Sequence, residues 1–593
     1  MTARGISTED AKKIVNEMVK KKAWIAVLRL PTGFGKSTSA PVIFKELYER
    51  NLAYIMIHIL PLRAIVEQQY RKLVCAESEG PRIVHESLRK ACITNDDIAF
   101  QSGDVMLKLR GIKCGGAFYK AKKDPIFDSR AVVATLDSFM MNLMKIPVAE
   151  VFKDKRHYAS PLARIFISAV FLDEAHYMSG DPRSIASAAL LARYAQEARV
   201  PLILMSATIN KSHIEWINLR EEKVVKACLE GDRVGVKCDV EIDGKEFIQN
   251  ASAIEWKTYK VKREDVASVA KDLVRGGRRV LIGVRRIARA VEIYKELKKG
   301  NVEARLLHAR LTLGDRERIL SEVEGLLKSG GGFALVATPV INAGVDLSFD
   351  ALIAEAPDFT SIVQWSGRVC RDMNNLCKEP PEVFIVEQGS NDYILKKIDE
   401  LSNTNSKINW RIPFDYGGAK GYGTLIDIDT KIINTENIKI KGVGREAMKL
   451  LNLFYPFFVS PKTITRYLLK EGSPVRRSLL IQAFIGDQDM DAEETLKNMI
   501  TLEIEDVSGC AEHVDNYIEV IVEDQDQKVR KDEEVWEKIK NKIKEPHKLY
   551  KDLVIAHMKK GSKHGVVAGG ILIKKEVYSG DEGLLCIQKG KEG

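Results

Sequence analysis

From Trp24 to about Pro201 short apolar runs alternate with helical stretches. AWIAVLRL leads into the segment from Lys36, YIMIHIL into LRAIVEQQYRKLV, and VVA into LDSFMMNLM. Such runs predict strands buried on both faces, and the helical periods between them predict crossovers, so a parallel sheet flanked by helices follows. IFISAVFL and PLILMS continue the series. A more polar stretch, 218–275, separates it from a second one: RRVLIGV, a helix over 287–298, VEARLLH, a helix over 314–328, FALVATP and ALIAEA. Beyond Gly389 the alternation fades. Glycine-rich FDYGGAKGYG, a helical segment over 447–457 and acidic EDQDQKVRKDEEVWEKI form an accessory region, and GVVAGGILIKKEVYSGDEGLLCIQKG predicts a hairpin-rich end. The pattern divides the chain into a first α/β lobe (1–225), a second (226–390), an accessory helical linker (391–510) and a C-terminal domain (511–593).

Charge changes this picture by location more than by size. The 593 residues hold 92 basic and 82 acidic side chains, a net +10, of which residues 1–200 hold 31 basic against 21 acidic. The excess therefore lies in the first third, which suits a polyanionic partner such as nucleic acid. Nine cysteines at irregular spacing include no CxxC pair, so the sequence predicts neither a zinc ribbon nor a secreted disulfide framework, and points to a reducing, cytoplasmic setting. No apolar run has the length of a membrane span, and MTARGISTEDAKKIV lacks the core of a signal peptide.

LRLPTGFGKS (28–37) follows an apolar run and leads into a helix. A strand, a glycine turn and a helix amino terminus aim backbone N–H groups at a phosphate chain. Gly33 and Gly35 permit close approach, Lys36 reaches the β and γ phosphates, and Ser37 binds Mg²⁺. The strict GxxxxGK[ST] spacing fails, because Leu30 stands where its first glycine would be. Asp173, Glu174, Ala175 and His176 end the run IFISAVFL, which delivers two carboxylates to a sheet's carboxyl edge. Asp173 suits the Mg²⁺ shell and Glu174 the attacking water. In the second lobe, QWSGRVCR (364–371) follows ATPVINAGVDLSFD (337–350). Arg368 and Arg371, read as lying on a helix surface with Gln364 on the same face, point across an interlobe cleft at a γ phosphate.

The ordered series PTGFGKS, LPLRAIVEQ, VVATLD, DEAH, SAT, ATPVINAGVDLSFD and QWSGRVCR resembles superfamily 2 helicases over residues 24 to about 390. Within that superfamily, LLHARLTLGDRERI (306–319), the GVDLSFD form and the tail YSGDEGLL (578–585) resemble the CRISPR-associated type I interference helicases. The resemblance implies two tandem RecA-like lobes and an ATP-dependent, 3′ to 5′ DNA helicase or translocase. ATP would be held with Mg²⁺ by Thr32, Gly33, Gly35, Lys36, Ser37 and Thr38, with Gly344 and Asp346 closing from the second lobe. It makes Ser206, Ala207 and Thr208 the turn that couples nucleotide state to lobe movement. It places single-stranded DNA against Pro61, Arg63, Thr135 and Thr338. The basic stretch RGGRRVLIGVRRIAR (275–289) is a further candidate, against the plain reading of arginines flanking a buried strand.

Three departures qualify the resemblance. Trp365 stands where the family usually has arginine, no glutamine precedes the phosphate-binding turn, and none of ten histidines is followed by aspartate. The last point likens the chain to the split form, whose HD nuclease is a separate polypeptide, with a Cascade surveillance complex as the further partner. The competing readings are a stand-alone DNA-repair or RNA helicase and a nucleotide-gated scaffold without turnover.

Overall fold

A computed structural model describes residues 5–61, 63–102, 111–146, 159–179, 182–216, 221–232, 237–342, 347–356, 358–371, 379–388, 392–403, 407–435, 438–454, 467–468, 471–475, 479–487, 489–523, 526–561 and 566–587. A helix, Thr8–Lys21, opens the chain under a capping box between Ser7 and Asp10. The first lobe is built on β1 (Ile25–Arg29), β2 (Ile55–Leu60) and β3 (Ile98–Gln101). A hairpin of β4 (Ile112–Cys114) and β5 (Ala117–Tyr119) follows, then β6 (Ala131–Thr135), β7 (Ser168–Leu172), β8 (Leu202–Ser206), β9 (Val224–Leu229) and β10 (Val240–Ile242). Apart from the hairpin these strands make one parallel sheet, ordered β10-β9-β1-β8-β7-β2-β6-β3. Every residue of β1, β2, β6, β7 and β8 is buried, as uniformly apolar runs require of a sheet covered on both faces.

The second lobe repeats the plan in β11 (Lys257–Val261), β12 (Arg279–Val284), β13 (Ala304–Leu307), β14 (Phe333–Ala337), β15 (Ala351–Glu355) and β16 (Glu382–Val386). All its pairings are parallel, in the order β11-β16-β15-β12-β14-β13. Helices over Ile287–Lys299 and Leu313–Ser329 match the sequence reading within a residue. The polar stretch after residue 218 is not a plain separator, since β9 and β10 extend the first sheet and β11 edges the second. Each sheet carries an apolar core on both faces.

The accessory region begins with a strap that includes the short parallel pair β17 (Ile408–Asn409) and β18 (Lys420–Gly421). Ile412 and Phe414 of this strap join the first lobe's core, while Trp410 and Tyr422 join the second's. A third, mixed sheet follows, formed by β19 (Leu480–Ile485), β20 (Met499–Glu503), β21 (Val514–Glu523), β22 (Asp526–Lys531) and β23 (Val566–Ile573), in the order β20-β19-β23-β21-β22. VVAGGILI is thus β23, an inner strand, and the hairpin of the tail is β24 (Tyr578–Ser579) with β25 (Gly583–Leu584). That hairpin clasps the second lobe. The Tyr578 hydroxyl donates to Asp315 Oδ2 at 2.7 Å, Arg318 donates to the Gly580 carbonyl at 2.9 Å, and His308 Nε2 lies 3.0 Å from the Glu582 carbonyl.

The structure brings together cysteines that their spacing did not pair. Cys75 pairs with Cys114, Cys228 with Cys238, and Cys510 with Cys586, at Cα separations of 5.3, 6.0 and 5.0 Å, and Cys92 is free. Spacing concealed these pairs because packing, not proximity in sequence, brings the partners together. Among the described residues no helix is long and apolar enough to cross a membrane.

Candidate active site

The chemistry gathers where strands of both lobes end. After β1 the chain turns through Gly33 (φ 86°) and Gly35 (φ 99°), left-handed conformations that glycine adopts freely. A Cβ on Gly35 would stand 2.6 Å from the backbone nitrogen of Gly5, so the close packing also demands glycine. The helix Lys36–Glu49 then starts, with the Thr38 hydroxyl donating to the Gly35 carbonyl at 2.6 Å. Lys36 is buried and its Nζ lies 3.4 Å from the Pro31 carbonyl, directed back over the turn.

Asp173 and Glu174 follow β7 directly. The Ser37 hydroxyl donates to Asp173 Oδ2 at 2.5 Å. Burial opposes ionisation of Asp173, but buried His58 beside it, Lys36 and the Ser37 hydroxyl outweigh that and hold its carboxyl below the usual range. Glu174 adopts φ 49°, and its Oε2, which makes no hydrogen bond, lies 3.4 Å from His176 Nδ1. Burial and the neighbouring Asp173 charge push its carboxyl upward against the pull of Lys36, Arg368 and Arg371. A hydroxyl and a carboxylate in hydrogen-bond contact, with a second carboxylate oxygen unsatisfied, form an oxygen donor set that fits Mg²⁺.

His176 joins this tetrad to the next turn. Its Nδ1 lies 3.0 Å from Ser206 Oγ, and the Ser206 hydroxyl oxygen accepts from the Thr208 N–H at 3.2 Å. Burial and the neighbouring His213 push His176 down to about 3, so the link is made by a neutral imidazole. The Ala207 carbonyl lies 3.4 Å from the Tyr422 hydroxyl of the strap, which ties Ser206–Thr208 to the accessory region.

From the second lobe, Asp358 caps the helix Phe359–Ser366 by accepting from the Ser361 N–H at 2.7 Å. Gln364 is buried near its end, with Nε2 unpartnered. The helix stops at Gly367, and this corrects the sequence reading: Arg368 and Arg371 lie beyond it in a turn, so no shared helix face aligns them with Gln364. The reason is a bridge to the preceding strand region, where the Phe349 N–H donates to the Arg368 carbonyl and the Cys370 N–H to the Phe349 carbonyl. The two lobes touch here, since a Cβ on Gly367 would lie 2.7 Å from Thr32 Oγ1. Trp365 is a core residue, 1% exposed, with its ring against Gly283 of β12.

The proposed strand contacts are less uniform. Thr135 is buried and its hydroxyl caps the helix Leu136–Leu143, while Thr338 is buried just past β14. Pro61 is half-buried after β2; the Arg63 side chain, Gly344 and Asp346 lie outside the described residues. In the basic stretch, Arg279 pairs with Asp350 through Nε at 2.7 Å, Arg289 with Glu355 at 2.9 Å, and Arg278 with Glu379. These three arginines fasten strand or helix ends.

The sequence reading did not single out His58, which sits buried beside Asp173, or Arg411, which the strap places between the lobes. Neither belongs to a contiguous motif, although an arginine within the apolar run NWRIPF was a visible signal.

Residues 8–216 match the DEAD/DEAH box helicase family, and residues 276–374 match the family described as CRISPR-associated nuclease/helicase Cas3, C-terminal. A CRISPR-associated nuclease/helicase Cas3 of Methanothermobacter thermautotrophicus is 32% identical over 93 residues, which cover 16% of this chain and 11% of that protein. The crystal structure of T. fusca Cas3 with ADP superposes with a TM-score of 0.56 at 16% identity, covering 82% of this chain and 62% of that one. The AMPPNP form gives 0.54 at the same identity and coverage. This likeness bears on the fold: two RecA-like lobes and a C-terminal region.

Proposed function

We infer that this chain, a DEAD/DEAH box helicase with a Cas3-like second lobe by its two family matches, is an ATP-dependent DNA helicase or translocase of a type I CRISPR interference system. One observation carries the reading. The Ser37 hydroxyl of the phosphate-binding turn donates to Asp173 Oδ2 at 2.5 Å, and Gly367, next to Arg368 of the second lobe, packs against Thr32 of the same turn.

The residues divide the work by their chemistry. The amide groups of Thr32 to Thr38 and the Lys36 ammonium bind the phosphates, aided by the dipole of the Lys36–Glu49 helix. Ser37 and Asp173 hold Mg²⁺, which when bound neutralises charge on the phosphate being transferred. Glu174 orients the attacking water, and Gln364, Arg368 and Arg371 face the charge that develops on the γ phosphate. The His176–Ser206 hydrogen bond passes the state of the Glu174 site to Ser206–Thr208 and on to the strap. Gly344 and Asp346 complete the second lobe's side. Cycles of closing and opening move the strand-gripping positions Pro61, Arg63, Thr135 and Thr338 relative to one another.

In this reading the chain travels 3′ to 5′ on single-stranded DNA, engages a Cascade complex and hands DNA to a separate HD nuclease in the cytoplasm. Support for these finer points is the motif series and the Cas3-like match. ATP hydrolysis by the purified chain, measured with and without single-stranded DNA and RNA, tests the core of it. Stimulation by DNA is expected; hydrolysis indifferent to either polymer would overturn the reading in favour of a scaffold, and stimulation by RNA alone would point to an RNA helicase. Strand displacement from 3′-tailed but not 5′-tailed duplexes tests polarity. Degradation of Cascade-bound target only when an HD nuclease is added tests the partners.

A further inference from the structure

The strap inserts one charged side chain into the cleft. Arg411 is 0% exposed. Its Nη1 lies 3.4 Å from the Thr32 carbonyl, and its Nη2 donates to the carbonyls of Val369 at 2.9 Å and Cys370 at 2.8 Å. Its Nε has no hydrogen-bond partner. Three carbonyls from the phosphate-binding turn and the arginine turn thus orient the guanidinium, and none of them carries charge. No carboxylate among the described residues pairs with it. Burial and the neighbouring charge of Arg371 push the guanidinium down to about 9, against a pull from the Tyr422 phenol.

The other buried arginines among the described residues are not treated this way. Arg183, just as buried, is matched by Glu446 at 2.8 Å and Glu471 at 3.0 Å, and Arg29 by Asp232 at 2.6 Å. A buried cation without an anion is strongly disfavoured, so the missing charge at Arg411 asks for an anion that is not a side chain. Position narrows the choice. A Cβ built on Gly33 would stand 2.9 Å from Nη1, which puts the guanidinium directly over the turn that cradles phosphate. The strap fixes it there. Asn409 Oδ1 accepts from the Arg411 N–H at 2.8 Å, and Trp410 Nε1 donates to Thr258 Oγ1 at 3.1 Å.

We propose that Arg411 is a third phosphate-contacting arginine of the nucleotide cleft, supplied by the accessory strap rather than by either lobe. It binds the polyphosphate chain of a nucleoside triphosphate or diphosphate and gives the accessory region its own contact with the nucleotide. This rests on the reading of the cleft as a nucleotide site.

Affinity of the full chain for a fluorescent ATP analogue and for ADP, together with the Tm of the nucleotide-free protein, separates the possibilities. Arg411→Met is expected to weaken binding about tenfold to a hundredfold, the loss of one charge-assisted contact. Its nucleotide-free Tm should stay close to wild type, because relief of a charge without a counterion offsets the loss of the bonds to three carbonyls, and Arg411→Lys should recover part of the affinity. Wild-type affinity in Arg411→Met overturns the proposal, the more so with a lowered Tm, which would mark a structural strut. Lys36→Ala serves as the control for the site. If wild type and Lys36→Ala bind nucleotide equally, the cleft reading itself falls and the role of Arg411 with it.

Discussion

Two groups of arginines face opposite electrostatic circumstances. Around β12, Arg278, Arg279 and Arg289 each meet a carboxylate at a strand or helix end. In the cleft, Arg411 meets only carbonyls, and Arg368 and Arg371 lie within electrostatic reach of a recessed glutamate whose own ionisation is opposed. The first group is denser in sequence and looks the better polyanion site; the second is scattered. Pairing, which sequence density conceals, marks the arginines around β12 as ones that hold the fold together.

The sharpest way to test that contrast is turnover. Arg368→Ala and Glu174→Gln should each lower ATP hydrolysis by roughly two to four orders of magnitude while leaving nucleotide affinity within a fewfold of wild type, as expected for groups acting on developing charge or on water. Hydrolysis at the native rate in either variant would break the contrast at its functional end. The structural end is probed by Arg279→Met, which strands the partly buried Asp350. It should cost about 1–2 kcal/mol in urea unfolding, with hydrolysis and nucleotide affinity unchanged. A drop in affinity there would assign the β12 group to ligand binding after all.

A smaller effect concerns a group kept neutral instead of paired. Burial, reinforced by Arg316 and Arg310, pushes His308 down to about 4 from its ordinary 6.5, against the bond to the Glu582 carbonyl. Between those values the unfolded chain binds the extra proton, so stability is complete above pH 6.5 and falls as pH drops towards 4, by at most about 1.4 kcal/mol per pH unit. His308→Gln should flatten that limb of the stability curve measured by denaturant titration. An unchanged slope would show that the clasp does not sense pH.

Much of this was legible because the nucleotide chemistry is written in contiguous pieces. A buried strand that ends in a glycine turn or in two carboxylates announces both its fold and its site, so PTGFGKS and DEAH could be placed at sheet edges from pattern alone. The turn that carries Arg368 was harder to read. A helical period extends through QWSGRVCR, yet the bridge from Val369 to Phe349 halts the helix at Gly367, and a bridge to a residue outside the segment leaves no periodic trace. The place of Arg411 was hidden for a related reason: an arginine in an apolar run stood out, but 379 positions separate it from Thr32. The third sheet was hidden by glycines that punctuate β23, where Gly570 lets a backbone pass close to Gln482.

The strap has a mechanical consequence. Ile412 and Phe414 are rooted in one lobe, Trp410 and Tyr422 in the other, with only a few residues between them. Any wide parting of the lobes must either stretch this short tether or extract a pair of large apolar side chains, at about 3–6 kcal/mol for two. Opening therefore works against a restoring force. The cleft behaves as a sprung jaw rather than a free hinge, and a strand held across both lobes would be under tension whenever the jaw is drawn apart.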